Sequence, residues 1–117
     1  MYNLAEKEKM LNRHISGLLL GCREAVNAQY PGAQIVLYGS QTTGQAQPDS
    51  DIDLLVLLDE KVSIEIRKHI HDLLYDIALD KDVVISAIIK NAQEWSLPIS
   101  QATGLYQEIQ KEGIRLS

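Results

Sequence analysis

Apolar residues recur at steps of three and four near the start of the chain. They form one stripe, which predicts a long helix over about residues 3–29 that ends at Tyr30-Pro31-Gly32. The residues of this stripe are Leu4, Leu11, Ile15, Leu18, Leu19, Cys22 and Val26. A similar stripe predicts a second amphipathic helix over roughly 62–79. A last helix is predicted over 102–112, with Lys111 in its final turn and Gly113 at its C-terminal cap.

Three short apolar runs rich in branched side chains lie between these helices and predict buried strands. They cover residues 34–38, 52–58 and 83–89. The order of helices and strands predicts an α+β fold of two layers, in which a small mixed sheet of three or more strands has helices packed mainly on one face. A chain of 117 residues without a repeat or linker-like stretch predicts a single domain over 1–117.

Composition and charge narrow the class of protein. Eleven basic and sixteen acidic side chains give a net charge of −5, which disfavours direct nucleic-acid binding through many phosphate contacts. The apolar runs are too short to span a membrane, and the charged N-terminal segment lacks the apolar region of a secretion signal. Cys22 is the single cysteine, so neither a disulfide framework nor a thiolate metal site is indicated. We therefore expect a cytoplasmic protein that does not bind membranes.

The segment between the first two predicted strands, GSQTTGQAQPDSDID, contains the most informative polar residues. Asp51 and Asp53 lie two residues apart in a strand, so their side chains point to the same side with Cα atoms roughly 6.5 Å apart. Such a pair is costly unless a cation compensates it, and carboxylate oxygens are preferred ligands of Mg²⁺. The spacing therefore predicts a metal site, and paired carboxylates can hold two such ions.

Gly39 and Ser40, at the start of the same segment, suit a phosphate. A glycine at a strand end lets the backbone approach a ligand, and the Ser40 hydroxyl can donate to a phosphate oxygen and cap a short following helix. A third carboxylate for the metal site should come from a neighbouring strand. Asp82, at the start of the third predicted strand, is the first choice, and Asp80 is the alternative.

Other polar and aromatic residues have plainer interpretations. Asp49, in Pro48-Asp49-Ser50, is typical turn chemistry. His69 and His71 lie two apart on a helix and do not face each other, so they predict no metal site. The group around Trp95, with Leu97, Pro98 and Ile99, is either a small core or a contact patch.

The Gly-Ser pair, ten intervening residues and Asp-x-Asp between apolar residues, followed by a later acidic strand, resemble the minimal nucleotidyltransferases of the DNA polymerase β superfamily. The resemblance covers nearly the whole chain, including the closing IQKEGIRL. It implies a polymerase-β-like nucleotidyltransferase fold in which Gly39 and Ser40 bind the nucleoside triphosphate. It also implies that Asp51 and Asp53 ligate two Mg²⁺ ions and that Asp82 completes the catalytic metal site.

The reaction implied by this resemblance is transfer of a nucleoside monophosphate, usually AMP from ATP, to an acceptor hydroxyl with release of pyrophosphate. Small domains of this kind resemble antitoxins that adenylylate a tyrosine of a helical HEPN-type RNase toxin, so a protein partner of that type is implied. The sequence is also compatible with a homo-oligomer.

One departure from the family pattern keeps alternatives open. Many relatives have Arg or Lys after the Gly-Ser pair, whereas this chain has Gln41 followed by two threonines. Lys90 or a residue of a partner subunit can supply the missing positive charge. The alternatives are a catalytically inactive domain of the same fold that acts as a binding antitoxin or scaffold, and a nucleotidyltransferase acting on a small molecule such as an aminoglycoside.

Overall fold

The computed structural model describes residues 1–7, 11, 13–43 and 51–116. The described strands are β1 Tyr2–Asn3, β2 Gln34–Tyr38, β3 Ile52–Leu58, β4 Ile85–Asn91 and β5 Ile114–Arg115. The described helices are α1 Leu4–Lys7, α2 Arg13–Gln29, α3 Ser40–Thr43, α4 Ile64–Lys81, α5 Ala92–Trp95, α6 Pro98–Gln101 and α7 Gly104–Glu112.

The strands form one mixed sheet in the order β1-β5-β2-β3-β4. Strand β2 is antiparallel to both β3 and β5, whereas β3 and β4 are parallel and β1 and β5 are parallel. The parallel pair β3 and β4 is connected by α4, which crosses over one face of the sheet, as parallel strands require. The predicted α+β fold with a small mixed sheet is confirmed.

Helices cover the two faces of the sheet unequally. The larger core lies between one face and the long helices α2 and α4, where Leu19, Val26 and Ile70 are fully buried against the strands. A smaller core on the other face joins Val36 and Leu55 of the sheet to α5 and α7. Among the described residues, helices therefore pack mainly on one face, as predicted, and the second face has the smaller core.

Strands β2 and β3 have the predicted bounds, but the third strand was predicted two residues too early. Helix α4 continues to Lys81, and Asp82 caps it in a left-handed conformation with φ of 54°. The N–H of Asp82 donates to carbonyl oxygens in the last turn of the helix, and so does the N–H of Val83. These helix-capping bonds use the residues that the apolar pattern assigned to the start of the strand, and β4 begins only at Ile85.

The predicted continuous first helix was wrong. The chain bends at Leu11, between α1 and α2, although Leu11 itself is buried in the larger core as the stripe predicted. Upstream of α1, the N–H of Tyr2 donates to the carbonyl oxygen of Gly113 at 2.8 Å, which begins the pairing of β1 with β5. Strands of two residues, paired across the whole length of the chain, leave no periodic signal that would reveal them.

Trp95 resolves the two interpretations of its segment. It is buried in the smaller core and contacts Tyr106 of α7 with ring centroids 5.1 Å apart, whereas Leu97 and Ile99 are exposed. None of the helices in the described part of the chain has the length and apolar character that crossing a membrane requires.

The N-terminus of α4 offers a direct test of the fold. The Ser63 hydroxyl accepts a hydrogen bond from the N–H of Ile66 at 3.1 Å and so caps the helix that connects β3 to β4. We expect Ser63→Ala to lower the free energy of unfolding by about 1 kcal/mol, measured by urea denaturation. The control is Ser16→Ala inside α2, where alanine is the better helix former. An equal loss for both variants would contradict the capping role of Ser63.

Candidate active site

The chain segments around the Asp pair meet at one end of the sheet. Tyr38 is paired with Asp53 across β2 and β3, and Asp53 is paired with Ser86 across β3 and β4. Because β2 is antiparallel to β3, it ends where β3 begins, and the parallel strand β4 begins there too. The turn at Gly39, the two aspartates and Ser86 therefore lie together.

Alternation along β3 determines which face the carboxylates occupy. Ile52 and Leu54 point into the larger core, so Asp53 lies on the opposite face with Leu55, which belongs to the smaller core. Asp51 is exposed on the same side, where the Ser86 hydroxyl lies 3.4 Å from Asp51 Oδ2 and donates to it. The structure thus brings Asp51 and Asp53 together at this end of the sheet face.

The electrostatics of the pair favour a cation. Partial burial raises the pKa of Asp53, and the negative charges of Asp51 and then Glu108 raise it further. The pKa of the Tyr38 hydroxyl is also raised, by burial first and then by Asp53 and Glu108. The raised pKa values mean that the negatively charged forms of Asp53 and Tyr38 are disfavoured here. A bound cation would relieve this repulsion, because it is attracted to the ionised form of each carboxyl group.

Gly39 makes close approach to Asp53 possible. Its φ is +79°, a conformation that L side chains rarely adopt, and a Cβ added to it would lie 2.5 Å from Asp53 Oδ2. The side chain and the N–H of Thr42 both donate to the Gly39 carbonyl oxygen, at 2.7 and 3.0 Å, and Thr42 is buried. These two bonds hold the turn that leads into α3, whose first residue is Ser40.

Thr42 was not recognised from the sequence as a structural residue of the site. Its place three residues after a glycine at a strand end is the signal that indicates such a turn, because a threonine hydroxyl can bond a nearby carbonyl. Asp49 lies outside the described residues, so its predicted turn role stays a prediction.

The structure does not bring the predicted third carboxylate to the pair. Asp82 is exposed at the cap of α4, and Asp80 lies exposed beside Lys81. Within residues 1–7, 11, 13–43 and 51–116, no three His, Cys, Asp or Glu side chains form a group that could hold a metal ion. The register explains this result, since the β4 residue next to Asp53 is Ser86, four positions after Asp82.

Lys90 does not supply the missing positive charge at this end of the sheet. It is paired with Leu57, whereas Ser86 is paired with Asp53. Four residues along a strand correspond to about 13 Å, so Lys90 lies near the opposite end of β4. The sequence of the turn, from Gly39 to Asp53, contains no lysine or arginine.

The donors present fit a hard divalent cation. Two carboxylates share one side of the strand end, and the Asp53 carboxyl group lies against Gly39, in the place that a side chain there would occupy. Oxygen ligands of this kind suit Mg²⁺, which keeps water and phosphate oxygens in its remaining positions. Asp51 and Asp53 are the residues that would hold it.

Comparison with known proteins agrees with this geometry. Residues 19–116 match the sequence family described as "Nucleotidyltransferase domain". No curated protein matches the chain. Among solved structures, the chain is similar to one in a toxin–antitoxin complex with AMP-PNP, with 20% identity, a TM-score of 0.61 and coverage of 85% of this chain and 72% of that one. It is also similar to a chain of the MntA-HepT toxin–antitoxin, with 17% identity, a TM-score of 0.56 and coverage of 87% and 71%.

Proposed function

Since the chain belongs to the nucleotidyltransferase domain family, we propose that it transfers AMP from ATP to a hydroxyl group of a partner protein and acts as an antitoxin. The observation on which this rests is the Asp51 and Asp53 pair, which lies beside the Gly39 turn at the end of strands β2 and β3. The proposed acceptor is a tyrosine of a small helical HEPN-type toxin. Similarity in fold to toxin–antitoxin complexes, one with AMP-PNP, supports this choice of nucleotide and partner.

Each part of the site has a proposed role. Asp51 and Asp53 hold two Mg²⁺ ions, which neutralise charge on the reacting phosphate and its leaving group when bound. The turn at Gly39 presents backbone N–H groups to the triphosphate, and the Ser40 hydroxyl donates to a phosphate oxygen. The Ser86 hydroxyl keeps Asp51 oriented. The rest of the acceleration comes from holding the acceptor hydroxyl in line with the reacting phosphate.

The test is incubation of the protein with ATP labelled on its α-phosphate, Mg²⁺ and the purified product of the neighbouring gene. We expect label on a tyrosine of that protein, located by mass spectrometry, and none when Asp51→Asn replaces the wild type. ATP binding without any labelling of the partner would contradict transfer to that protein. Labelling of an aminoglycoside with no protein partner would instead support the small-molecule alternative.

The second candidate function is a binding antitoxin without catalysis, and Gln41 is the observation that favours it. A neutral amide can bond a phosphate oxygen but does not neutralise its charge. Calorimetric titration with ATP and Mg²⁺ separates the two functions. Micromolar binding that disappears in Asp51→Asn would count against the inert domain, because an inert domain has no need of an intact carboxylate pair.

Gln41 also gives a prediction of increased affinity. It is half-buried in α3, one residue after Ser40, so an arginine there is expected to reach the bound triphosphate. We expect Gln41→Arg to tighten ATP binding roughly tenfold through charge-assisted hydrogen bonds, measured by calorimetry with Mg²⁺ present. Thr43→Arg adds the same charge at an exposed position of the same helix and controls for long-range attraction. Equal tightening in both variants would exclude a local contact at position 41.

A further inference from the structure

Ser86 of β4 lies next to both aspartates of the site. The β3–β4 register pairs it with Asp53, and neighbouring strands are about 4.8 Å apart. The Ser86 hydroxyl also donates to Asp51 Oδ2 at 3.4 Å. A single side chain of β4 is therefore close to both carboxylates to which the proposed function assigns the metal ions.

Alternation along β4 directs Ser86 to the face of the sheet that carries Asp53. Its two neighbours in the strand, Ile85 and Ala87, pack against the larger core. Ile88 packs against the smaller core, as expected for the face of Ser86, but it lies two residues further along the strand from the aspartates. Among the residues of β4, Ser86 is therefore the one whose side chain lies beside the pair.

The residue paired with Asp53 on its other side is also neutral. It is Tyr38 of β2, whose phenol group, like the serine hydroxyl, carries no charge at neutral pH. In the part of the chain that the structure describes, no third His, Cys, Asp or Glu joins the two aspartates in a group that could hold a metal ion. Asp53 thus has an uncharged hydroxyl side chain on each neighbouring strand, and the pair supplies two negative charges.

Two negative charges limit the number of divalent cations that the site can hold by itself. One Mg²⁺ or Mn²⁺ ion matches the charge of the pair, whereas a second ion leaves an excess of positive charge. Two divalent ions repel about four times as strongly as two monovalent ions at the same distance. A triphosphate relieves this repulsion, because its anionic oxygens serve as further ligands. Without nucleotide, a second ion therefore needs another carboxylate.

We propose that Ser86 lies at the third ligand position of the cation site and that, because it is neutral, the free protein holds a single divalent cation weakly. This inference rests on the proposed function, in which the second ion binds together with the phosphates of ATP. The sequence suggested Asp82 for this position, but the strand register places Ser86 there. The side chain at position 86 is thus expected to set the cation affinity of the free protein.

The test measures Mn²⁺ binding by the full chain without nucleotide or partner. Free Mn²⁺ is counted directly by electron paramagnetic resonance, so the titration gives both the number of bound ions and their affinity. We expect one bound ion in the wild type. We expect at least about tenfold tighter binding in Ser86→Asp, because affinity for a hard cation rises with the number of charged ligands.

Two control variants separate a new ligand from other effects of the substitution. Ser86→Asn has nearly the shape of Ser86→Asp, and its neutral amide can donate to Asp51 as the hydroxyl does, so it is expected to show no such gain. Lys90→Asp makes a larger change in charge at an exposed position of the same strand, about 13 Å from Ser86. It is expected to tighten Mn²⁺ binding by less than about twofold, because salt screens charges at that distance.

A double variant keeps the test decisive if a third carboxylate prevents folding. Asp51→Asn alone is expected to lose most of the Mn²⁺ affinity, because it removes one of the two charged ligands. Ser86→Asp added to Asp51→Asn restores two carboxylates without increasing the net charge, and it is expected to recover most of the lost binding. If this double variant unfolds at the temperature of the wild type and recovers no binding, position 86 does not contact the cation.

The remaining outcomes distinguish this proposal from the proposed function. If Asp53→Asn abolishes Mn²⁺ binding but Ser86→Asp and Ser86→Asn bind equally, Ser86 does not lie at a ligand position and the proposed function still stands. Two ions bound to the nucleotide-free wild type, both lost in Asp53→Asn, would likewise overturn the single-ion site. If neither the wild type nor Ser86→Asp binds Mn²⁺, the metal-dependent function fails together with this proposal.

Discussion

An Asp53→Asn variant is expected to transfer the nucleotide at least about a thousandfold more slowly than the wild type, because removal of a metal-ligating charge costs several kcal/mol of transition-state stabilisation. The substitution is not expected to destabilise the fold. Asp53 is partly buried next to Asp51, and both features raise its pKa, so its charged form is disfavoured in the folded protein. At neutral pH the neutral amide is therefore expected to leave the stability of the metal-free protein unchanged or slightly increased.

Initial rates of label transfer and a thermal unfolding curve together test this prediction. The matched control is Asp49→Asn, the same substitution at an aspartate that the sequence assigns to a turn, and its transfer rate is expected to equal that of the wild type. If Asp53→Asn keeps more than about a tenth of the rate, Asp53 does not ligate a catalytic ion.

The second large effect is expected for Gly39→Ala, which should lower both the stability of the protein and its transfer rate. The φ of Gly39 is +79°, which is strained for alanine. The new Cβ would lie 2.5 Å from Asp53 Oδ2 and 3.3 Å from Asp53 Cγ. The left-handed backbone alone costs roughly 1–2 kcal/mol of stability. The carboxyl group of Asp53 must also move away, and misplacement of a catalytic group by about 1 Å can cost on the order of 100-fold in rate. We expect both losses, measured by urea denaturation and by label transfer.

Gly17→Ala is the matched control for this substitution. Gly17 lies inside α2, and a Cβ added there meets no atom within 4 Å. Alanine is the better helix former by up to about 1 kcal/mol, so Gly17→Ala is expected to stabilise the protein and to leave the transfer rate unchanged. Full transfer by Gly39→Ala would show that Asp53 need not lie against this turn.

The local pattern of apolar and polar residues was sufficient to predict the strands and the helix next to the site. Strands β2 and β3 were predicted with their observed bounds, because each contains a buried apolar run next to polar residues that end it. The placement of Asp51 and Asp53 on one side follows from the period of two along a strand. The Gly39-Ser40 pair at the end of β2 was equally visible, as was the long helix that connects β3 to β4.

The hydrophobic pattern did not predict the start of β4 or the neighbour of Asp53, because both depend on pairing between distant segments. Asp82 looked like the start of a strand, but two more residues separate it from β4, because helix capping uses Asp82 and Val83. The β3–β4 register then places Ser86 beside Asp53, and a one-residue difference in register would have turned the facing side chain to the other side of the sheet.

The sequence by itself determined the family resemblance, the carboxylate pair and the Gly39-Ser40 turn, since each depends on residues that are close along the chain. Only the tertiary structure decided which residues surround them. It placed Asp82 at the cap of α4 and Lys90 near the other end of β4, and it placed Ser86 beside the pair. The reason is physical: strand register and the packing of α7 on the second face result from contacts between distant segments, which local periodicity does not record.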